Sequence, residues 1–246
     1  MDPLWFVTAL LSGYLIGAVS FARIITRFAA PGSEVPDQVE VAPEGTDTKL
    51  LLKTISASSV SAQHGSKYGF ITYVLDVIKI VIPTLFFRLY FPDSDYYLLA
   101  AGAGVAGHIW PVYYRFRGGR GISAIYGGLF VIDWIGVFVT SLGGMIIGLL
   151  ILRDILTAYM AGVWLIIPWV WLRTGDPYIL GYAVFVNIIF MIAMIPESKQ
   201  WRRIKQEDKW DDQTAVLQLS GMGRGLVKMA KKLGIIKPKA EVRDKI

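Results

Sequence analysis

The chain has 246 residues, of which 54% are hydrophobic and only 18% are charged. This composition is too apolar for an ordinary soluble domain and indicates an integral membrane protein. Cysteine is absent, which excludes disulfides, thiol catalysis and thiolate metal sites. Residues 197–246 hold 13 Lys or Arg against 7 Asp or Glu, a difference of +6 that equals the net charge of the whole chain. The basic charge therefore belongs to one tail and does not indicate a nucleic-acid partner.

Seven apolar segments predict membrane helices, since a spanning helix needs roughly 20 residues. They cover residues 4–28, 70–90, 96–114, 122–132, 135–152, 155–172 and 178–195. Asp133 and Trp134 divide the long apolar run between the fourth and fifth segments. The fourth segment is short and is expected to pack against protein rather than lipid. The predicted fold class is an all-α integral membrane bundle of about seven transmembrane helices, and the first segment lacks the basic start of a cleaved signal peptide.

Lys and Arg are concentrated in alternate connections, which predicts the orientation in the membrane. Residues 27–67, 115–120 and the tail carry most of the positive charge, whereas residues 92–95 and 133–134 are acidic. The N-terminus is therefore expected outside, and the C-terminus inside, a bacterial-type plasma membrane that the chain crosses several times. We expect one membrane domain over residues 1–200, with a flexible, solvated loop over residues 29–53 that is rich in Pro, Gly and acidic residues.

The tail over residues 201–246 contains a second type of element. Apolar residues recur there at helical spacing between basic ones, which predicts an amphipathic helix that binds anionic membrane lipid. The apolar residues are Leu226, Met229, Ala230, Leu233 and Ile236. The alternative is a weakly ordered tail, because three glycines lower the helix propensity.

The segment over residues 107–121 combines three arginines with several glycines directly after an apolar helix. Consecutive backbone N–H groups in such a turn bind anions, and arginine adds bidentate hydrogen bonds to phosphate. Ser123 lies in the first turn of the next helix, where an anion is also favoured. The candidate phosphate-binding residues are Arg117, Gly118, Gly119, Arg120, Gly121 and Ser123. The alternative is a tight interhelical turn with solvated arginines.

Three further residues are candidates for catalysis or substrate binding. Asp76 and Lys79 lie three residues apart on one face of a membrane helix, so that they either contact an anionic substrate or form a buried structural pair. His108 precedes Pro111 by three residues and either serves as a general base or donor, or satisfies a carbonyl freed by the proline. No cluster has metal-ligand spacing, so we expect neither a metal nor another cofactor.

These motifs resemble the bacterial membrane glycerol-3-phosphate acyltransferases that use acyl phosphate as donor. That family's central motif runs Gly-His-x-Phe-Pro and then Phe-Lys-Gly-Gly-Lys-Gly, and this chain has Gly-His-Ile-Trp-Pro at 107–111 and Phe-Arg-Gly-Gly-Arg-Gly at 116–121. Residues 75–79, with Pro83, and residues 13–21 are similar to two further family segments. The resemblance implies that the glycine loop over residues 117–121 holds the phosphate of glycerol 3-phosphate.

Two other family motifs are largely lost. The serine and the arginine to which the family's activity is attributed fall on Leu52 and Ala62, and the C-terminal motif falls on residues 197–203 without its histidine.

The leading hypothesis is acyl transfer from acyl phosphate to the 1-hydroxyl of glycerol 3-phosphate, giving lysophosphatidate, with Lys79 and His108 as catalytic residues. The first alternative is a catalytically silent relative that binds a phosphate-bearing lipid or a membrane partner. The second is a transporter of small phosphates.

Overall fold

The computed structural model describes residues 2–31, 39–41, 50–52, 55–152, 155–206 and 232. The elements of its first half are α1 (Pro3–Gly17), α2 (Phe21–Ala29), β1 (Val39–Val41), β2 (Leu50–Leu52), α3 (Ala57–His64), α4 (Ser66–Tyr90) and α5 (Tyr96–Ile109). Those of its second half are α6 (Ile122–Ile132), α7 (Trp134–Ile146), α8 (Ile155–Trp164), α9 (Ile166–Thr174) and α10 (Pro177–Gln206). A short 3₁₀ turn follows α5, and a π-helical turn over Ile147–Ile151 follows α7. The helical bundle predicted from the sequence is confirmed.

The first predicted segment, residues 4–28, is two helices and not one. α1 ends at Gly17, and α2 begins after Ser20, whose hydroxyl accepts a hydrogen bond from the Arg23 amide at 3.4 Å. A serine at this position starts a helix because it satisfies an N–H group that has no partner within the helix. The break over residues 18–20 leaves main-chain groups inside the bundle that regular helix would have paired.

α1 and α5 run parallel and pack closely through small residues. A Cβ atom on Gly13 would overlap the backbone of Ala100, and one on Gly17 would overlap the backbone of Gly104. Close approach of this kind is typical of membrane helices, which associate through packing rather than through the hydrophobic effect. This contact brings the end of α1 to the end of α5, where the glycine loop begins.

Successive connections between the helices lie alternately at the two ends of the bundle. At one end the Asp2 backbone is hydrogen-bonded to the Tyr96 hydroxyl, and Arg173 Nε lies 3.3 Å from Asp133 Oδ2. At the other end the Tyr14 hydroxyl donates to the Trp110 carbonyl at 2.7 Å. The loops with acidic residues therefore share one end, and the break, α3 and the glycine loop share the opposite one. Which end faces the cytoplasm stays a prediction.

Within the part of the chain that the structure describes, three helical stretches are long and apolar enough to cross a membrane: residues 3–29, α4 and the first 20 residues of α10. The break predicted at Asp133 is present, and the Asp133 carboxylate accepts hydrogen bonds from the Ile135 amide at 3.2 Å and from Trp169 Nε1 at 2.9 Å.

Large apolar side chains such as Leu11, Ile82 and Leu142 are exposed on the outside of the bundle, as expected for lipid-facing surfaces.

The loop over residues 29–53 contains secondary structure that the sequence analysis did not predict. β1 and β2 pair in antiparallel fashion, with Val39 opposite Leu52 and Val41 opposite Leu50. The remainder of this loop from residue 32 onward lies outside the described residues. The predicted amphipathic helix of the tail also lies outside them, apart from Lys232, which is helical and exposed.

Candidate active site

The glycine loop folds back onto the end of α5. Pro111 follows α5, and the chain then turns sharply through Arg115 and Phe116, whose φ angles of 52° and 60° are left-handed. The Gly119 amide donates to the His108 carbonyl at 3.1 Å. A Cβ atom on Gly119 would overlap His108 Nε2, so that only glycine lets the loop backbone lie against the imidazole ring.

The loop leads directly into the N-terminus of α6. Gly121, the N-cap residue, has a left-handed φ of 97°. Arg120 and Ser123 are both buried beside it, whereas Arg117 is exposed. The first turn of α6 provides N–H groups that lack partners within the helix and favour an anion. The predicted phosphate-binding residues thus lie together in the structure, except that the Arg117 side chain extends to the surface.

A pocket lies where the break, α4, α5 and the glycine loop meet. Its three ionisable side chains are Asp76, Lys79 and His108, which come from two helices. The complete lining consists of Ala18, Val19, Ser20, Ala22, Ile55, Asp76, Lys79, His108, Pro111 and Gly119. The structure therefore brings together the two predicted catalytic residues and one glycine of the predicted phosphate loop.

The ionisable side chains form a buried chain of contacts. Lys79 Nζ lies 2.7 Å from Asp76 Oδ1 and donates a 2.6 Å hydrogen bond to the Val19 carbonyl. His108 Nδ1 lies 3.7 Å from the same Asp76 oxygen, beyond normal hydrogen-bond distance. All three side chains are buried. Asp76 balances the positive charge of Lys79, so with a neutral imidazole this wall of the pocket carries little net charge.

The sequence analysis missed the contribution of the break to this pocket. Val19 and Ser20 line it, and Val19 supplies the acceptor for Lys79. Ser20 directly before the apolar residue Phe21 is a helix-start signal that could have indicated a second helix. The positions of the family's lost serine and arginine fall in different elements, since Leu52 ends β2 and Ala62 lies in α3. Ser59 and Ser61 of α3 are buried.

The chain is similar in sequence to proteins named glycerol-3-phosphate acyltransferase. A glycerol-3-phosphate acyltransferase from Legionella pneumophila (strain Lens) is 31% identical over 138 residues, which are 56% of this chain and 45% of that protein. Glycerol-3-phosphate acyltransferase 1 of Bacillus cereus is 30% identical over 144 residues, 58% of this chain and 71% of that protein. The chain thus spans about half the length of the Legionella relatives it matches.

Two solved structures share the fold. Both are crystal structures of PlsY (YgiH), an integral membrane glycerol 3-phosphate acyltransferase, at 20% identity over 80% of this chain and 92% of that one. The TM-score is 0.68 for the glycerol 3-phosphate form and 0.64 for the lysophosphatidic acid form. With its membrane-length helices, the chain is a multi-pass membrane protein of the bacterial plasma-membrane type. The family model for glycerol-3-phosphate acyltransferase matches residues 44–207, and the chain belongs to that family.

Proposed function

We propose that the chain transfers a fatty acyl group from acyl phosphate to the 1-hydroxyl of glycerol 3-phosphate, giving lysophosphatidate for phospholipid synthesis. The proposal is carried by one observation: Lys79, His108 and Gly119 line the same pocket at one end of a membrane bundle. The names of the related proteins support it, since the two PlsY structures are the glycerol 3-phosphate and lysophosphatidic acid forms of that enzyme.

The reaction needs no covalent enzyme intermediate. The 1-hydroxyl oxygen attacks the acyl carbonyl carbon, a new ester C–O bond forms, and the C–O bond to the phosphate breaks. The hydroxyl proton leaves with inorganic phosphate, either directly or through His108. Such a reaction depends on positioning and on cationic stabilisation of developing charge, which suits a chain without cysteine.

Each element of the site then has a role in this scheme. The backbone of residues 118–121, Arg117, Arg120 and Ser123 hold the phosphate of glycerol 3-phosphate at the N-terminus of α6. His108 lies against this loop and orients the hydroxyl or accepts its proton. Lys79 stabilises negative charge that develops during the reaction, while Asp76 holds the Lys79 ammonium group in position.

A specific observation favours the alternative of a silent relative. Lys79 is already engaged by Asp76 and by the Val19 carbonyl, which is the arrangement of a structural pair. A silent relative would retain the pocket and bind a phosphate-bearing lipid or a membrane partner without turnover.

The experiment is an assay of the purified full chain with acyl phosphate and glycerol 3-phosphate, measuring lysophosphatidate and released phosphate in equal amounts. A preparation from host cells that carry the empty vector, purified identically, is the control for acyltransferases of the expression host. Product formation by the parent well above this control supports the proposal. Equal rates in the two preparations would favour the silent relative.

A further inference from the structure

The two ring nitrogens of His108 face different walls of the pocket. A Cβ atom on Gly119 would overlap Nε2, so this nitrogen faces the glycine loop. Nδ1 lies on the other side of the ring, where Asp76 Oδ1 of α4 is 3.7 Å away. Nδ1 is buried and has no hydrogen-bond partner among the residues that the structure describes. A buried polar atom without a partner is costly, and the Asp76 carboxylate is the acceptor placed beside it.

Asp76 is held in a position from which it can accept this hydrogen bond. Lys79 Nζ contacts Asp76 Oδ1 at 2.7 Å, and Lys79 in turn donates to the Val19 carbonyl at 2.6 Å. A carboxylate oxygen has two lone pairs, so Oδ1 can accept from the ammonium group and from an imidazole N–H at the same time. Asp76 is 2% exposed and His108 is 7% exposed, so water competes little for the contact.

The packing of α4 against α5 places the two side chains opposite each other. A Cβ atom on Gly104 would lie 2.9 Å from the Ile80 side chain, so the helices are in close contact there. Asp76 precedes Ile80 by four residues, about one turn along α4. His108 follows Gly104 by four residues, about one turn along α5. Because the short connection over residues 91–95 makes the two helices antiparallel, these two turns lie side by side.

We propose that Asp76 is a positioning residue for His108: it accepts a hydrogen bond from Nδ1–H and so leaves Nε2 unprotonated towards the glycine loop. This inference rests on the proposed function. There, Nε2 takes the proton of the 1-hydroxyl while the hydroxyl oxygen forms the ester bond to the acyl carbon. The proton then passes from Nε2 to the departing phosphate, which makes the imidazole neutral again. Asp76 stabilises the imidazolium between these two proton transfers.

The 3.7 Å distance is within reach of a hydrogen bond. The cavity has a volume of about 10 Å³, which is room for about one water molecule, so binding of a substrate requires its walls to move. Catalytic hydrogen bonds often shorten when substrate binds. A movement of about 1 Å between α4 and α5 brings His108 Nδ1 within hydrogen-bond distance of Asp76 Oδ1.

The experiment identifies the protonated nitrogen directly, by nitrogen NMR of the full chain with isotope-labelled histidine, at the pH of the assay. The chain contains two histidines, and the signals that persist in His64→Gln belong to His108. The parent should show His108 protonated at Nδ1 and unprotonated at Nε2. Protonation at Nε2, or at both nitrogens, would overturn the inference. The measurement needs no substitution at Asp76, so it does not depend on the folding of an Asp76 variant.

The role of Asp76 in the reaction has a separate kinetic readout. Asp76→Asn weakens the acceptor and should lower kcat at least about tenfold, while the KM for glycerol 3-phosphate stays within about threefold of the parent. In His108→Ala the same substitution should change kcat less than about threefold, because the group through which Asp76 acts is gone. A purely structural role through Lys79 predicts the same fold-loss in both backgrounds, and that result would contradict the positioning role.

The two measurements distinguish failure of this inference from failure of the proposed function. A parent without acyl transfer but with His108 protonated at Nδ1 would remove the reaction and support the hydrogen bond to Asp76. Acyl transfer by a parent with His108 protonated at Nε2 would retain the proposed function and overturn the role of Asp76.

Discussion

Lys79 donates a 2.6 Å hydrogen bond to the main-chain carbonyl of Val19 and so connects the middle of α4 to the break in the first span. A carbonyl outside regular helix is costly inside a membrane protein unless it finds a partner. The ammonium group supplies that partner, and Asp76 balances its charge at 2.7 Å. One buried lysine thus stabilises the break that shapes the pocket.

This arrangement predicts strong coupling between Asp76 and Lys79. Asp76→Asn and Lys79→Met should each lower the free energy of unfolding by about 3–5 kcal/mol, because each leaves one buried charge without its counter-ion. The double variant should lose clearly less than the sum of the two. Thermal or denaturant unfolding in detergent measures this. Additive losses would contradict the ion pair, and a stable but inactive double variant would favour a substrate role for Lys79.

The helical segments could be predicted because each is an apolar run with a clear interruption. Asp133 was found in this way, since its charge interrupts the hydropathy and its carboxylate then caps α7. The break at residues 18–20 was missed because Ala18 and Val19 are themselves apolar. The hydropathy pattern therefore does not distinguish a capped break from a continuous helix.

The site could be predicted only as separate motifs. Lys79 and His108 each attract notice as polar residues in apolar helices, but nothing in their sequence spacing places them in one pocket. Their proximity depends on the packing of α4 against α5, where a Cβ atom on Gly104 would meet the Ile80 side chain. The contact of Arg23 in α2 with Tyr114 after α5 is likewise indicated by no local pattern.

The contact of Gly119 with His108 predicts a specific sensitivity. Gly119→Ala should lower the stability by about 1–3 kcal/mol, because the added methyl group overlaps the imidazole ring, and it should also impair acyl transfer. Gly181→Ala is the control, since nothing lies within 4 Å of its Cβ position in α10. It should stabilise the protein by about 0.5–1 kcal/mol. Equal effects of the two substitutions would show that the loop does not rest on His108.

Arg120 and His108 should affect different kinetic constants. Arg120→Ala removes a charge-assisted contact worth about 1.5–3 kcal/mol, equivalent to a roughly 10- to 150-fold higher KM for glycerol 3-phosphate. Its kcat should fall less, because a phosphate remote from the reacting hydroxyl contributes mainly uniform binding. His108→Ala should instead lower kcat with little change in KM. Steady-state kinetics separates the two, and activity that neither substitution alters would mean that the glycine loop is only a structural turn.

The tail is predicted to bind anionic lipid. A peptide covering residues 221–239 should become helical on anionic vesicles and much less so on neutral ones, as followed by circular dichroism. Salt should reduce the difference, since attraction to a charged surface is screened within about 8–10 Å at physiological ionic strength. Equal helicity on both types of vesicle would argue against an electrostatic interaction.

The orientation in the membrane can be tested with single cysteines, because the chain has none of its own. Gly119 is unsuitable as a labelling position, since it is buried against His108, whereas Tyr113 and Asp93 are exposed at opposite ends of the bundle. An impermeant maleimide should label Asp93→Cys in intact cells and should label Tyr113→Cys only after the membrane is permeabilised. The cysteine-free parent controls for background. The reverse pattern would place the glycine loop outside the cell, and the proposed use of cytoplasmic glycerol 3-phosphate would then be wrong although the fold would stand.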